Sequence, residues 1–288
     1  MIYLLLTILL NTVLFIIFKL FPKYQINQLP AIVVNYIVCV ITGSVFVGRM
    51  PIGSESMSQS WFPWTLLMGS LYISIFNFIA YHTKKYGVTT TSVANKLSLV
   101  IPVLFSVMMY HDSLSWINVV GILLAFPAVY LTTRVKGEKA DLHGVLLPTI
   151  LFLCSGLLDS LTKYVEHAHL QDAELQAVYP IHVFATAASI GTVLVIVLAA
   201  QKKIQLHFKD IIAGIVLGVP NYFSIYYLIR FLNDKFMPSS SAIAINNIGI
   251  VLCSAVLAIV VFRESLTKVR FIGLLLSVLA IILIALNG

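Results

Sequence analysis

Charged residues are scarce in this sequence. Only 10% of its 288 residues are Asp, Glu, Lys or Arg, whereas soluble globular proteins contain about a quarter. Hydrophobic residues make up 60% of the chain, which is far more than one soluble core needs. This composition excludes an ordinary soluble domain and indicates an integral membrane protein.

Catalytic and nucleotide-binding motifs are also missing. The chain contains no HExxH, GxSxG, GxxxxGK[ST] or GxGxxG pattern, so metalloprotease, hydrolase and nucleotide-driven functions have no candidate residues. The three cysteines, Cys39, Cys154 and Cys253, lie within apolar segments and have no paired or metal-ligand spacing. We therefore expect no enzymatic activity, no cofactor and no metal site.

Apolar segments long enough to cross a bilayer recur along the whole chain. A helix needs about 20 apolar residues to span roughly 30 Å of hydrocarbon, and segments this long and continuous favour helices over barrel strands. The first segment lacks a basic N-terminal region and a small-residue cleavage site, so we interpret it as a span and not as a signal peptide. We predict an all-α fold with ten spans, at residues 2–18, 29–48, 62–81, 88–109, 115–133, 144–164, 177–200, 211–232, 239–262 and 269–286.

The net charge of +7 comes from basic residues in the connections between these spans. No solvated basic face is formed, which argues against a nucleic-acid partner. The odd-numbered connections carry 13 basic residues and the even-numbered ones carry four: Arg49, Lys163, Arg230 and Lys235. By the positive-inside rule, the odd connections are cytoplasmic and both termini lie outside.

Two parts of the chain repeat each other. An offset of 152 residues aligns Asn95 with Asn247 and Gly121 with Gly273, and an offset of 144 aligns Lys19 with Lys163. The same offset of 152 aligns the acidic turn Asp112, Ser113 and Leu114 with Glu264, Ser265 and Leu266. We predict two five-helix halves, residues 1–136 and 137–288. Because five is an odd number, the second half enters the membrane inverted, as in many secondary transporters.

These turns resemble those of the EamA-like transporters of the drug/metabolite transporter superfamily. The resemblance rests on Lys19 at the end of the first span and on two segments, HDSLSWINVVGILL at residues 111–124 and RESLTKVRFIGLLL at residues 263–276. It extends over essentially the whole chain. It implies a ten-helix carrier whose central cavity is lined chiefly by the third, fourth, eighth and ninth spans, with the first, second, sixth and seventh rocking around it.

Lys96 is the most unusual residue of the fourth span. A lysine at a helix centre costs about 2.5–3.5 kcal/mol on insertion scales, so a partner or a hydrated cavity is implied. Two interpretations remain open: a structural lysine bonded to carbonyl groups or paired with Asp159, or a cavity ammonium that contacts an anionic group of a solute. Asn95 precedes it, and Asn246 and Asn247 occupy the corresponding part of the ninth span.

Asp159 and Lys163 lie four residues apart on the sixth span, in the favourable order for a helical ion pair. We prefer a structural pair over a proton relay. His182 is a second candidate for proton coupling, because imidazole titrates near physiological pH, and a satisfied buried histidine is the alternative. Further candidates for the cavity lining, with interhelical bonding or packing as the alternative, are Asn35, Asn77, Asn221 and Tyr222.

These features predict a secondary, ATP-independent transporter in a bacterial inner membrane. Its expected partners are the lipid bilayer and a small polar metabolite, anionic or zwitterionic, that moves by alternating access around a central cavity. The alternatives are a flippase for lipid-linked substrates, a cationic multidrug exporter of the same fold, and a non-transporting scaffold. The sequence leaves the oligomeric state open and is compatible with a monomer.

The charge distribution gives a test of orientation. In a cysteine-free variant, Gly137→Cys and Lys202→Cys should be labelled from the cytoplasmic side and Met57→Cys from the outside, because 13 basic residues lie in the odd connections and four in the even ones. The measurement is labelling of intact cells and of inverted vesicles with a membrane-impermeant maleimide. The reverse pattern would overturn the orientation and leave the fold unaffected.

Overall fold

The computed structural model describes residues 2–110, 115–133, 142–170, 172–233, 239–264 and 266–286. Within these ranges the chain forms α-helices and one short 3-10 helix, η1 (Ser54–Ser58), and no strand. The α-helices are α1 Ile2–Leu20, α2 Gln28–Val47, α3 Phe62–Tyr86, α4 Val88–Leu97, α5 Val100–Tyr110, α6 Trp116–Thr133, α7 Leu142–His169, α8 Ala173–Ala200, α9 Phe208–Asn233, α10 Ser239–Phe262 and α11 Lys268–Ala285. The predicted all-α fold is confirmed.

The helices match the predicted spans. In the described part of the chain, nine segments are long and apolar enough to cross a membrane when α4 and α5 are taken together as Val88–Met109, and the helix at Trp116–Thr132 is a shorter apolar segment. Together they correspond to the ten predicted spans. Some predicted features lie outside the described residues: the turn at 111–114, Gly137, the 136–137 boundary and Ser265.

The fourth span lies where it was predicted, at residues 88–109. It divides at Ser98 and Leu99, between α4 and α5. Pro102 has no N–H, so it cannot donate the helical hydrogen bond to the carbonyl of Ser98 four residues earlier. The Ile101 N–H donates to that carbonyl instead, at 2.9 Å. The regular helical hydrogen bonding is therefore interrupted well within the membrane-spanning segment.

The contacts between helices follow the repeat. If α1 to α3 correspond to α7 to α9, α4 and α5 to α10, and α6 to α11, the contacts between the two halves form symmetric sets. The contact of α2 with α9 corresponds to that of α3 with α8, and the contact of α1 with α9 corresponds to that of α3 with α7. Three further contacts join corresponding helices of the two halves: α6 with α11, α2 with α8 and α4 with α10. This is the pairing that two related halves require.

Two glycines from the sequence repeat explain the close packing of α6 against α11. A Cβ on Gly121 would lie 2.9 Å from the Ala280 carbonyl oxygen, and a Cβ on Gly273 would lie 2.7 Å from the Thr132 nitrogen. Each glycine thus allows its helix to approach the backbone of the other, as small residues do between membrane helices. Asn118 adds a hydrogen bond from its side chain to the Ile284 carbonyl, at 2.8 Å.

The connections lie alternately on two opposite faces of the bundle. On the odd face, the Asn27 N–H donates to Asp210 at 2.8 Å, which joins the first connection to the start of α9. On the even face, Arg49 pairs with Glu174, joining the second connection to the start of α8. This arrangement is the one the span count predicts. Which face is cytoplasmic stays a prediction.

A carboxylate from the second half joins two helices of the first half on the odd face. Glu264 accepts a hydrogen bond from the Val88 N–H at 2.9 Å, at the start of α4, and its carboxylate lies 3.2 Å from the Lys19 ammonium at the end of α1. Thr89 donates to the same carboxylate from its hydroxyl, at 3.3 Å. An anion at a helix N-terminus is stabilised by the unpaired N–H groups there. We call Lys19, Gly87, Val88, Thr89 and Glu264 the Glu264 clasp.

The clasp depends on a glycine. Gly87 has φ 91° and ψ 171°, a conformation that only glycine adopts readily and that costs other residues about 1–3 kcal/mol. A Cβ at this position would also lie 2.6 Å from a Glu264 carboxylate oxygen. Both effects oppose any side chain at residue 87.

Three glycine variants separate these two effects. Gly87→Ala should lower the free energy of unfolding most, because it combines backbone strain with a collision against Glu264. Gly48→Ala should lower it less, by about 1 kcal/mol, because Gly48 has φ 80° but no atom within 4 Å of an added Cβ. Gly53→Ala should be nearly neutral, because Gly53 has φ −149° and open surroundings. Thermal unfolding of the three purified variants in detergent is the measurement, and equal losses for Gly87→Ala and Gly48→Ala would show that the carboxylate does not press on residue 87.

Candidate functional site

Two adjoining cavities lie within the helix bundle. The first has a volume of about 160 Å³, and its polar lining consists of Asn11, Asn95, Lys96, Ser155, Asp159, Asn221 and Ser224. We call it the polar chamber. The second has a volume of about 200 Å³, and its lining includes Met68, Tyr72, Tyr179 and Phe184. We call it the aromatic vestibule.

The two cavities share part of their walls. Tyr72 and Asp159 line both, so the carboxylate stands at the boundary between them. The vestibule extends to Leu170 and Gln176, which lie where α7 meets α8 on the even face. The chamber therefore lies deeper in the bundle, and the vestibule lies between it and the even face.

Two opposite charges meet in the polar chamber. Lys96 is on the last turn of α4 and Asp159 is on α7, and the two groups are close enough to interact electrostatically. The Lys96 side chain is partly exposed and that of Asp159 is exposed, because each borders the cavity. The two residues form no salt bridge within 4.0 Å, although both belong to the described residues.

The break in the fourth span holds Lys96 in place. The helix ends directly after it, and the Asn247 amide on α10 donates to the Lys96 carbonyl at 3.4 Å. Asn95 donates to the Ser155 hydroxyl on α7 at 2.9 Å, and Ser98 donates to Asp159 at 3.4 Å. Irregular backbone at membrane depth is tolerated where it is buried in protein or lines a cavity, and both conditions are met here.

The predicted ion pair of Asp159 with Lys163 does not form in this structure. The two side chains form no salt bridge, although both lie in the described part of α7. Asp159 borders the chamber, where its interactions are with Lys96 and Ser98, whereas the Lys163 side chain is exposed. The helical spacing allows Asp159 to pair with Lys163. The Asp159 carboxylate instead borders the polar chamber, near the oppositely charged Lys96.

Only some of the predicted amides line the chamber. Asn95 and Asn221 do. Asn247 lies behind Lys96, where it binds the backbone, and Asn35 is fully buried and accepts a hydrogen bond from Asn221 at 3.1 Å. Asn246 is buried, and its side-chain oxygen has no hydrogen-bond partner among the described residues. Asn35 and Asn247 thus each make a hydrogen bond to another helix in this structure.

Asn77 and Tyr222 also lie outside the two cavities. Asn77 donates to the Ile73 carbonyl at 2.8 Å and receives contacts from Gln28. Tyr222 is buried against Phe46, with 6.3 Å between the ring centroids. In this structure Asn77 bonds within α3 and to Gln28 of α2, and Tyr222 packs against Phe46 of α2.

His182 is a satisfied buried histidine in this structure. Its Nε2 lies 2.9 Å from the Ser56 hydroxyl, and its Nδ1 lies 3.1 Å from the Val178 carbonyl. Trp61 packs against the ring, with centroids 4.8 Å apart. The histidine thus anchors η1 on the even face and does not line either cavity.

The helices that line the chamber differ from those that the family resemblance implied. Asn11 and Phe15 of α1, and Ser155 and Asp159 of α7, contribute to the lining. None of the described residues of α10, the predicted ninth span, does so. The reason is that α10 packs behind α4, where Asn247 contacts the Lys96 backbone. Sequence reasoning also missed Ser98 and Ser155. Pro102 is the only feature of the sequence that could have indicated Ser98, which lies four residues before it.

Comparisons with known proteins cover nearly the whole chain. The profile of the EamA-like transporter family matches twice, at residues 2–134 and 144–286. An uncharacterized protein of Haemophilus influenzae is 28% identical over 275 residues, which is 92% of this chain and 91% of the relative. A protein of known crystal structure superimposes with a TM-score of 0.62 at 14% identity, covering 96% of this chain and 95% of that one.

The structural likeness at 14% identity supports the fold alone, and the relative's description assigns no substrate. The family profile carries more weight, because its two matches fall on the two halves that the sequence repeat and the symmetric helix contacts define. This integral membrane protein, with its two five-helix repeats, belongs to the EamA-like transporter family of the drug/metabolite transporter superfamily.

Proposed function

We propose that the chain is a secondary transporter that moves a small polar solute with an anionic group across a bacterial inner membrane. The observation that carries this proposal is the Lys96 ammonium, which borders a cavity deep within the bundle. A lysine at this depth is costly unless it faces water or a partner. A hydrated chamber removes much of that cost and leaves the ammonium able to bind an anion.

The arrangement of the cavities suits alternating access. The vestibule extends towards the even face, while the Glu264 clasp joins α1, α4 and the turn before α11 on the odd face. A solute entering from the even face would pass the vestibule and reach Lys96. Its release to the odd face requires the clasp to open. With the charge-based orientation, the even face is external.

A cationic exporter is the second candidate, because Asp159 presents an exposed carboxylate to the same chamber. Lys96 opposes this function, since a solute that carries only positive charge would meet a like charge beside its counter-ion. A flippase for lipid-linked substrates would need a lateral opening between helices, and no described feature of the two cavities favours one.

The role of Lys96 can be tested by removing its charge. Lys96→Gln should leave the protein expressed and monodisperse but lower solute uptake about ten- to a hundredfold, because a charge-assisted hydrogen bond contributes about 1.5–3 kcal/mol. Lys96→Arg should also transport poorly, since a planar guanidinium does not replace a compact ammonium. The measurement is uptake by proteoliposomes of a labelled panel of organic acids and amino acids.

Lys203→Gln is the matched control, because Lys203 is exposed in a connection far from the chamber. It should transport like the wild type. Wild-type uptake by Lys96→Gln would show that the ammonium does not bind the solute. Misfolding of Lys96→Gln, with normal folding of the control, would make the lysine structural. No uptake of any panel member by the wild type would contradict a transport function for these solutes.

A further inference from the structure

A cluster of polar groups joins the first connection to the start of α9 on the odd face. The Asp210 side chain is only 1% exposed, and its carboxylate accepts hydrogen bonds from the Asn27 N–H at 2.8 Å and from the His207 N–H at 3.1 Å. The Asn27 side-chain amide donates to the Gln205 carbonyl. We call Asn27, Gln205, His207 and Asp210 the Asp210 joint.

The joint has more acceptors than donors. The Asn27 side-chain amide has two hydrogens. Its nitrogen faces three acceptors: the Gln205 carbonyl at 2.6 Å, the His207 Nδ1 at 3.1 Å and an Asp210 carboxylate oxygen at 3.1 Å. The opposite orientation of the amide would be worse, because its oxygen would then face two further oxygens. One acceptor is therefore left without a hydrogen whenever the His207 Nδ1 carries none.

A proton on the His207 ring corrects this shortage. It turns Nδ1 into a donor and leaves the two Asn27 hydrogens for the two oxygen acceptors. The ring is 45% exposed, so it is able to turn its Nδ1 from Asn27 towards Asp210. A neutral ring can also carry its hydrogen on Nδ1, but only the imidazolium places a positive charge near the Asp210 carboxylate, at 3.7 Å. Protonation thus strengthens the joint.

Asp210 is the only carboxylate in the elements that meet here, the first connection and residues 201–212. The other titratable side chains of these elements are exposed or partly exposed, and none of them forms a salt bridge with Asp210. They are Lys23, Tyr24, Lys202, Lys203 and Lys209. The lysine charges oppose protonation of His207, but water and salt screen exposed charges. The buried carboxylate therefore determines the sign of the effect.

The joint and the Glu264 clasp hold the two ends of the first connection. Lys19, at the end of α1, pairs with Glu264, and Asn27, directly before α2, bonds to Asp210. Because α2 also packs along α9, a movement of α2 away from α9 on the odd face has to break the joint.

The corresponding contact on the even face contains no carboxylate. By the correspondence of α1, α2 and α9 with α7, α8 and α3, it lies between the end of α7 and the residues before α3. There the His169 Nδ1 lies 3.1 Å from the Ser60 hydroxyl, and His169 forms no salt bridge with any described residue. A hydroxyl donates to a neutral imidazole or accepts from a protonated one. Protonation therefore changes this contact much less than the Asp210 joint.

We propose that the Asp210 joint is a pH-sensitive brace, which holds the odd face closed when His207 is protonated and releases it when His207 is neutral. The closed joint binds the additional proton more tightly than the open one. Its extra stability is therefore present below the range in which histidine titrates, near pH 6.5, and is lost as the pH rises through that range. With the charge-based orientation, the brace responds to cytoplasmic pH. Its effect on transport rests on the proposed function, whereas the proton dependence of the joint does not.

Thermal unfolding of the purified full-length protein tests the joint without transport. The measurement is made at about pH 5.5 and about pH 8, on either side of the histidine range. His207→Gln should lower the unfolding temperature by about 2 °C more at the acid pH than at the alkaline pH. In an Asp210→Asn background, the same substitution should act equally at both values. His169→Gln is the matched control, and its effect should not depend on pH.

Uptake by proteoliposomes tests the effect on the odd face. The solute is the member of the labelled panel that the wild type takes up, and the pH is the same inside and outside. At the acid pH, His207→Gln should transport about two- to fivefold faster than the wild type, because its joint gains no charge. At the alkaline pH the two rates should agree. The ratio of the two proteins removes every effect of pH on the chamber that both share.

A pH-independent effect of His207→Gln on the unfolding temperature would overturn the proposal, as would a pH-dependent effect that persists without the Asp210 carboxylate. If Asp210→Asn fails to fold, the comparison of His207→Gln with His169→Gln decides alone. If unfolding depends on pH as expected but the uptake ratio does not, the joint binds a proton without holding the odd face, and the brace is refuted while the transport function stands. If the wild type takes up no solute of the panel, the transport function is contradicted, and the unfolding comparison still decides whether the joint depends on a proton.

Discussion

The carbonyl group that Pro102 cannot satisfy is the constraint on which the candidate site depends. Because the helical hydrogen bond to Ser98 is missing, the fourth span ends one helix and begins another in the middle of the bundle. The Ile101 N–H satisfies the Ser98 carbonyl instead, and the Asn247 amide donates to the Lys96 carbonyl two residues earlier. The same break leaves the Lys96 side chain at a helix end, next to a cavity. Backbone irregularity and charge thus occur together, as they do in other membrane carriers with discontinuous helices.

The two repeated halves form the scaffold that surrounds the break in the fourth span. Symmetric contacts between the halves, and the reciprocal approach of α6 and α11 at Gly121 and Gly273, do not depend on the solute. The chemistry, in contrast, is not symmetric. The residue that corresponds to Lys96 in the second half is Ile248, and the one that corresponds to Pro102 is Ser254. Among the described residues, the duplicated scaffold therefore carries one pair of opposite charges at the polar chamber, contributed by α4 and α7.

Much of the fold could be predicted from the sequence, because span length and apolar continuity are local properties of the chain. The repeat was also visible, since Gly121 and Gly273 must be small wherever backbones touch. The site was harder to predict. Lys96 could be identified because an ammonium within a span is costly in any membrane protein. Helical spacing suggested that Asp159 pairs with Lys163, but spacing shows which groups can meet and not which of them borders a cavity. The same holds for Asn35, Asn77 and Tyr222: a polar residue within a span serves helix packing or the cavity, and its rotational position decides which.

The continuity of α10 has a consequence for the timing of the transport cycle. On the odd face, the clasp holds α4, a segment of 10 residues with a break at its far end, whereas its counterpart α10 runs for 24 residues without interruption. Under the proposed alternating-access mechanism, α4 would bend at Ser98 and Leu99, whereas α10 packs against α1, α4 and α11 along its length and would move as one segment. The two faces would then open by different helix movements, and the two half-cycles would differ in rate.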